Sequence, residues 1–175
     1  MKESLADQLS HKLGVAKKTS AKEKSRSFPS MSEDCISKGN VVYLPLSEEE
    51  GLHLADGYDV RNKFVTIVGV LPDGTVIGSL LVNTKASAGN EKVNQCQYPL
   101  KKEKYDWLVY SSWLDCSRIV PIARNKVLSG RYCGRLSDED FNLVIQCIKD
   151  TTLISNKIKK KYGINVESNT AEEDG

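Results

Sequence analysis

Residues 134–150 read GRLSDEDFNLVIQCIKD, and the parsing of the rest of the chain depends on them. Ser137 suits a helix N-cap, because its hydroxyl can accept from an amide that the first turn leaves unpaired. Asp140, three residues on, is spaced to reach back to the Ser137 amide and close a capping box. Leu136 before the cap and Phe141 after it have the spacing of a hydrophobic staple. Phe141, Val144, Ile145 and Ile148 then recur at intervals of three and four, an apolar stripe that has to pack on something. The spacing predicts a helix that begins at Ser137 or Asp138 and braces a surface built earlier in the chain.

That surface reads as β-structure. The domain begins at residues 38–46, KGNVVYLPL, where Val41, Tyr43 and Leu44 read as a strand whose ladder Pro45 limits at an edge or at its end. Residues 63–85, KFVTIVGVLPDGTVIGSLLVNTK, divide into two β-branched halves around Pro72, Asp73 and Gly74, a strong turn signal that predicts two adjacent antiparallel strands. Residues 86–104 are weakly patterned and read as a loop, while 105–113 (YDWLVYSSW) and 117–122 (SRIVPI) supply further strands. No segment between the strands has helical length and periodicity, which disfavours a βαβ fold. The expected class is mainly β with a C-terminal helix, a small coiled sheet or partly closed barrel whose open side the helix covers. Beyond Asp150 the helix ends, bends or continues weakly through residue 162, with Gly163 as a stop.

The length of 175 residues allows one compact domain with tails. Residues 1–37 read as a flexible, basic and serine-rich extension, in which Leu5, Leu9 and Leu13 offer a short helix that is marginal without a partner. Residues 38–163 make the domain, and 164–175, with four acids and no base, an acidic disordered tail. No apolar run approaches the roughly eighteen residues of a membrane span, and the start lacks the apolar core of a secretory signal, so a soluble cytoplasmic protein is expected. Five cysteines without a CxxC pair and two histidines argue against a zinc site or a disulfide framework, and neither metal nor cofactor is expected.

The formal charge of +2 conceals a local run. In residues 116–135, CSRIVPIARNKVLSGRYCGR, the cations Arg118, Arg124, Lys126, Arg131 and Arg135 occur without an acid among them. Such a run either attracts phosphates or is an ordinary solvated surface. No P-loop, dinucleotide fingerprint, HExxH pair or nucleophile elbow is present. His53 in the polar connection 47–62 and His11 near the start read first as ordinary surface histidines and second as a general base. Arg61 opens one strand of the hairpin, and Ser79 and Thr84 lie in and just beyond the other. Pairing through the Pro-Asp-Gly turn brings Arg61 and Thr84 to the same end of the sheet, twelve residues before Asp73 and eleven after it. A fixed guanidinium there can bind an RNA phosphate and stabilise the charge that grows as the ribose 2'-oxygen attacks; a hydroxyl can orient that phosphate. The alternative is a sheet-edge charge beside a turn threonine.

Taken in order, KGNVVYLPL, RNKFVTIVG, SLLVNTK, LDCSRIVPIARNKV and GRLSDEDFNLVIQCIKD resemble the MazF/PemK-like toxins of the CcdB superfamily, over residues 38–153. The resemblance implies an SH3-like barrel, a homodimer, and metal-independent cleavage of single-stranded RNA, with an antitoxin protein occupying the RNA groove. By motif matching, Arg61 takes the place of the phosphate-stabilising arginine and Thr84 that of the catalytic Ser or Thr. Ser79 is the alternative hydroxyl, and Asp115 the acid near the dimer or substrate surface. Arg118, Arg124, Lys126 and Arg131 would hold the RNA backbone, and Tyr110, Trp113 or Tyr132 would stack on bases or belong to the core. Asn62 stands where the family carries Pro, and residues 48–59 and 85–105 depart from its pattern. A toxin-like endoribonuclease is therefore the expected function. The alternatives are a catalytically inactive module binding a protein or nucleic acid, and a DNA-gyrase poison.

Overall fold

The computed structural model describes residues 27–82 and 90–165. The N-terminal leucine repeat, His11, Thr84 and the acidic residues from Glu167 onward lie outside these. Among the described residues the order is β1 (Asn40–Leu46), β2 (Arg61–Val70), β3 (Val76–Val82), α1 (Glu91–Gln95), β4 (Gln97–Leu100), β5 (Ser112–Asp115), β6 (Val120–Ile122), α2 (Arg124–Leu128), β7 (Arg131–Arg135), α3 (Asp138–Asp150) and α4 (Asn156–Lys161).

The β2–β3 hairpin forms as its turn chemistry requires. Gly74 adopts φ 89°, Asp73 accepts from the Thr75 amide at 2.9 Å, and the strands pair from Val70↔Val76 to Val65↔Leu80. A bulge between Ile67 and Gly69 adds a residue to β2. β1 runs antiparallel along β2 as far as Leu46↔Arg61, whereas β7 follows β1 only to Tyr43↔Arg131. Pro45 thus lies where β1 has a single neighbour, and its missing N–H costs no ladder bond.

The strand order is β4-β5-β3-β2-β1-β7, with β6 also on β3. This corrects the expected closed SH3-like barrel with one C-terminal helix. The end strands β4 and β7 do not pair with each other, so the sheet is an open, curled half-barrel, and four helices are distributed along the described chain. The architecture of the PemK/MazF-type barrel is not what this sheet forms. The physical cause lies in β3, whose Val76–Gly78 half pairs with β6 while Leu81 and Val82 pair with β5. Its end therefore leaves β2 and carries β4 and β5 outward.

Strand alternation gives the sheet two apolar faces. Val41, Ile77, Leu81 and Leu114 face α3, which buries Val144 and Ile148 completely and packs Phe141 and Ile145 at the margin. Burying two such aliphatic side chains contributes roughly 1.5–3 kcal/mol each. Val42, Leu44, Leu46, Val65, Ile67, Leu80, Val120 and Ile122 form the second face, closed by Val127 of α2 and by Leu52. Gly78 is required there, because a Cβ would lie 2.3 Å from Val65 Cγ1.

Three local expectations are corrected. Residues 105–111 turn rather than extend, and β5 starts only at Ser112. Tyr105 and Trp107 are apolar-patterned because they are buried against the α3 face, where the Trp107 indole lies on the backbone of Gly134; a Cβ there would sit 2.7 Å from its Cδ1. Residues 86–104, expected as loop, include α1 and β4. Finally, the capping box closes only by half. Ser137 Oγ accepts from the Asp140 amide at 3.2 Å, but the Ser137 amide donates to the Tyr105 hydroxyl at 3.1 Å. The Asp140 carboxylate instead accepts from Tyr98 Oη at 2.8 Å and from Tyr105 Oη, and pairs with Lys104 at 2.9 Å. Helix α3 ends at Asp150 with Thr151 extended, and Gly163, at φ 73°, follows the separate helix α4.

The described residues before β1 lie against the sheet edge. Ser30 bridges to Arg131, Tyr132 donates to the Pro29 carbonyl at 2.9 Å, and Phe28 packs beside Tyr43 and Phe64. This part of the 1–37 segment covers the edge that β7 would otherwise expose.

Candidate functional site

The register decides which side chains share the start of β2. Arg61 pairs with Leu46 and Lys63 with Leu44, so both cations stand on the second face, in line with Val65 and Ile67. Along this line Arg61 is exposed at the rim, Lys63 is partly buried, and Val65 is fully buried as the floor. Since the β2–β3 ladder ends at Val65↔Leu80 and β3 turns its pairing to β5, the corner beside Arg61 and Lys63 is where the sheet parts.

A third cation reaches this corner from the turn before β6. Arg118 Nη1 donates to the Gly51 carbonyl at 2.8 Å, and its Nε lies 3.4 Å from Asp115 Oδ2. Asp115 is buried and otherwise occupied, accepting from Gln97 Nε2 at 3.0 Å, from the Ser117 amide at 3.0 Å and from Ser117 Oγ. It holds the turn and aims Arg118. Lys63 receives no such support. Burial, and then the positive charges of Arg61 and Arg118, lower its pKa from the ordinary lysine value. Among the described residues no carboxylate forms an ion pair with Lys63 or Arg61. Trp113, across from Val82, stands on the same face of β5 as Asp115 and is partly buried.

The other expected residues are placed differently. Ser79 is fully buried on the α3 face, its hydroxyl donating to the Asp115 carbonyl at 2.7 Å, with no route to the Arg61 side. The basic run does not form one track. Arg124 pairs with Glu33, Lys126 with Glu50 at 2.6 Å, and Arg131 with Ser30 Oγ at 2.6 Å, while Arg135 bonds the Lys38 carbonyl at 2.7 Å. Burial works to raise the Glu50 pKa, but Lys126 and the amide and hydroxyl of Ser47 outweigh it and hold the carboxyl below its usual range. Tyr110 is exposed in the turn before β5, Tyr132 packs on the second core, and His53 is exposed. Sequence reasoning missed Lys63. Its signal was the parity of RNKFVTI, which puts a lysine where the alternation calls for an apolar residue.

All five cysteines are free thiols, and among the described residues no group of three or more His, Cys, Asp or Glu is placed to hold a metal ion. No helix of the described residues is long and apolar enough to cross a membrane. No protein-family model and no curated protein matches the chain.

Proposed function

We propose that the chain is a toxin-like endoribonuclease that cleaves single-stranded RNA by attack of the ribose 2'-oxygen on the adjacent phosphate. Arg61 stabilises the negative charge that develops on the phosphorane, Arg118 holds the neighbouring phosphate oxygen, and Thr84 supplies the orienting hydroxyl. One observation carries this reading: Lys63 and Arg61 stand on one face of β2 at the parting of the sheet, with Arg118 near and, among the described residues, no carboxylate paired to Lys63 or Arg61. A partly buried lysine beside two arginines favours an incoming anion, and a phosphodiester supplies one. The resemblance of residues 38–153 to MazF/PemK-like toxins supports the same chemistry without the closed barrel. It extends the proposal to a cytoplasmic homodimer and to an antitoxin segment that competes for these cations.

Incubating the protein with a panel of single-stranded RNAs in the presence of a chelator tests the reading, with the ends of the products identified by mass spectrometry. A 2',3'-cyclic phosphate and a 5'-hydroxyl are expected. Arg61→Ala and Thr84→Ala, folded by circular dichroism, should each lose roughly 100-fold or more in rate. RNA bound but never cut would assign the corner to a silent binding module, and absence of both would remove the proposal.

A further inference from the structure

Cleavage through the 2'-oxygen needs a group that takes its proton, and neither Arg61 nor Arg118 can, since a guanidinium keeps its charge throughout the working pH range. We propose that Lys63 is the base that removes the 2'-hydroxyl proton at the Arg61 phosphate site. The inference rests on the endoribonuclease reading and adds to it a residue with its own role.

The placement comes first. Lys63 lies two residues deeper than Arg61 on the same face of β2, between the exposed rim and the buried Val65. A phosphate held at the rim by Arg61 and Arg118 would have Lys63 as the next side chain inward on the same face. Among the described residues β1 presents Leu44 and Leu46, β3 presents Leu80, β5 turns Trp113 and Asp115 away from the α3 face, Arg61 is on the same strand, and Arg118 reaches in from the turn before β6. Asp115 is held by Gln97, Ser117 and Arg118, and Glu50 is taken by Lys126. Among the described residues the charges that act on Lys63 are thus those of Arg61 and Arg118, and with partial burial they favour the neutral amine, the form a base requires.

The step balances without a further reagent. The neutral Nζ accepts the proton of the 2'-hydroxyl and becomes an ammonium. The 2'-oxygen uses the released electron pair to bond to phosphorus, the bond from phosphorus to the 5'-oxygen breaks, and that oxygen leaves with its pair and takes a proton from water. The products are a 2',3'-cyclic phosphate and a 5'-hydroxyl. The new ammonium returns its proton to solvent.

The test is single-turnover cleavage by the full chain from pH 6 to 10, for the parent, Lys63→Arg and Lys63→Ala. Lys63→Arg keeps the charge and removes the base. It should bind a 2'-O-methyl RNA within about threefold of the parent while cleaving roughly 100-fold more slowly. The parent rate should rise with pH and level off below the ordinary lysine value of about 10.4, and Lys63→Arg should lose that limb. Ethylamine should restore cleavage to Lys63→Ala, which a structural lysine would not allow. A Lys63→Arg variant that cleaves at the parent rate with the parent pH profile overturns the inference and leaves the endoribonuclease standing. A parent that cuts no RNA overturns both.

Discussion

Two corners of this protein gather charge, and they do so in opposite ways. At the start of α3 a single buried carboxylate, Asp140, has Lys104 and the hydroxyls of Tyr98 and Tyr105 around it, and Tyr105 in turn accepts from the Ser137 amide. Burial works to raise the Asp140 pKa, but hydrogen bonds from Tyr105, Lys104 and Tyr98 outweigh it and hold the carboxyl below its usual range. At the start of β2 the sign and the balance are reversed: Lys63 has Arg61 and Arg118 near it and, among the described residues, no carboxylate in an ion pair with it. The first corner ties the closing helix to the segment that follows β4. At the second, burial and two positive charges disfavour the charged form of Lys63. The satisfied network braces the fold, and the other corner is the one at which the anion site is proposed.

The comparison predicts that removing charge acts in opposite directions at the two corners. The largest effect belongs to Asp140→Ala, which leaves two tyrosine hydroxyls and Lys104 without their acceptor and should cost about 3 kcal/mol in urea unfolding. RNA binding should be untouched in the fraction that remains folded. Gly134→Ala strikes the same brace from its other wall. The new Cβ would stand 2.7 Å from the Trp107 indole, and a loss of about 2 kcal/mol with a shifted tryptophan emission is expected. Lys63→Met should do the reverse, gaining roughly 1 kcal/mol while weakening the anion site. Destabilisation on that change would mean that Lys63 has a partner within the fold.

Acid sharpens the contrast. Asp140 has a depressed pKa in the folded state, so its contribution is complete above the unfolded value of about 3.9 and is lost as pH falls through the folded one. The parent should therefore lose stability below about pH 4 more steeply than Asp140→Asn, measured by thermal unfolding across that range. The smallest effect is expected for Lys104→Ala. This cation is half exposed, and the drop in its Tm should be slight and vanish in high salt.

What could be read from the sequence was local. The start and apolar stripe of α3, the Pro-Asp-Gly hairpin and β1 each carry their signal within a few residues, and each forms as expected. Helices α1, α2 and α4 have five or six residues, too few for a helical period to stand out. Tyr105 and Trp107 imitate a strand because burial in a turn selects the same rings. Whether the sheet closes depends on pairing between β4 and β7, which no local pattern encodes. Asp140 read as a capping residue, since its real partners lie 42 and 35 residues away. At the candidate site Arg61 was visible because it opens a strand. Arg118 was visible only as one of a run, and its separation from Arg124, Lys126 and Arg131 required coordinates. Lys63 was passed over because attention to apolar alternation treats a lone cation as an interruption.

The central claim, that the start of β2 is an RNA phosphate site, is tested most directly by salt-dependent binding. A labelled 2'-O-methyl single strand is titrated with the parent and with the Arg61→Ala, Lys63→Met double variant between 50 and 200 mM salt. The affinity of the parent should fall with salt, with a logarithmic slope of roughly 0.7 per phosphate contacted. The double variant should bind more weakly at every salt and with a slope smaller by about one or more. Equal affinities and equal slopes for the two proteins would contradict the account.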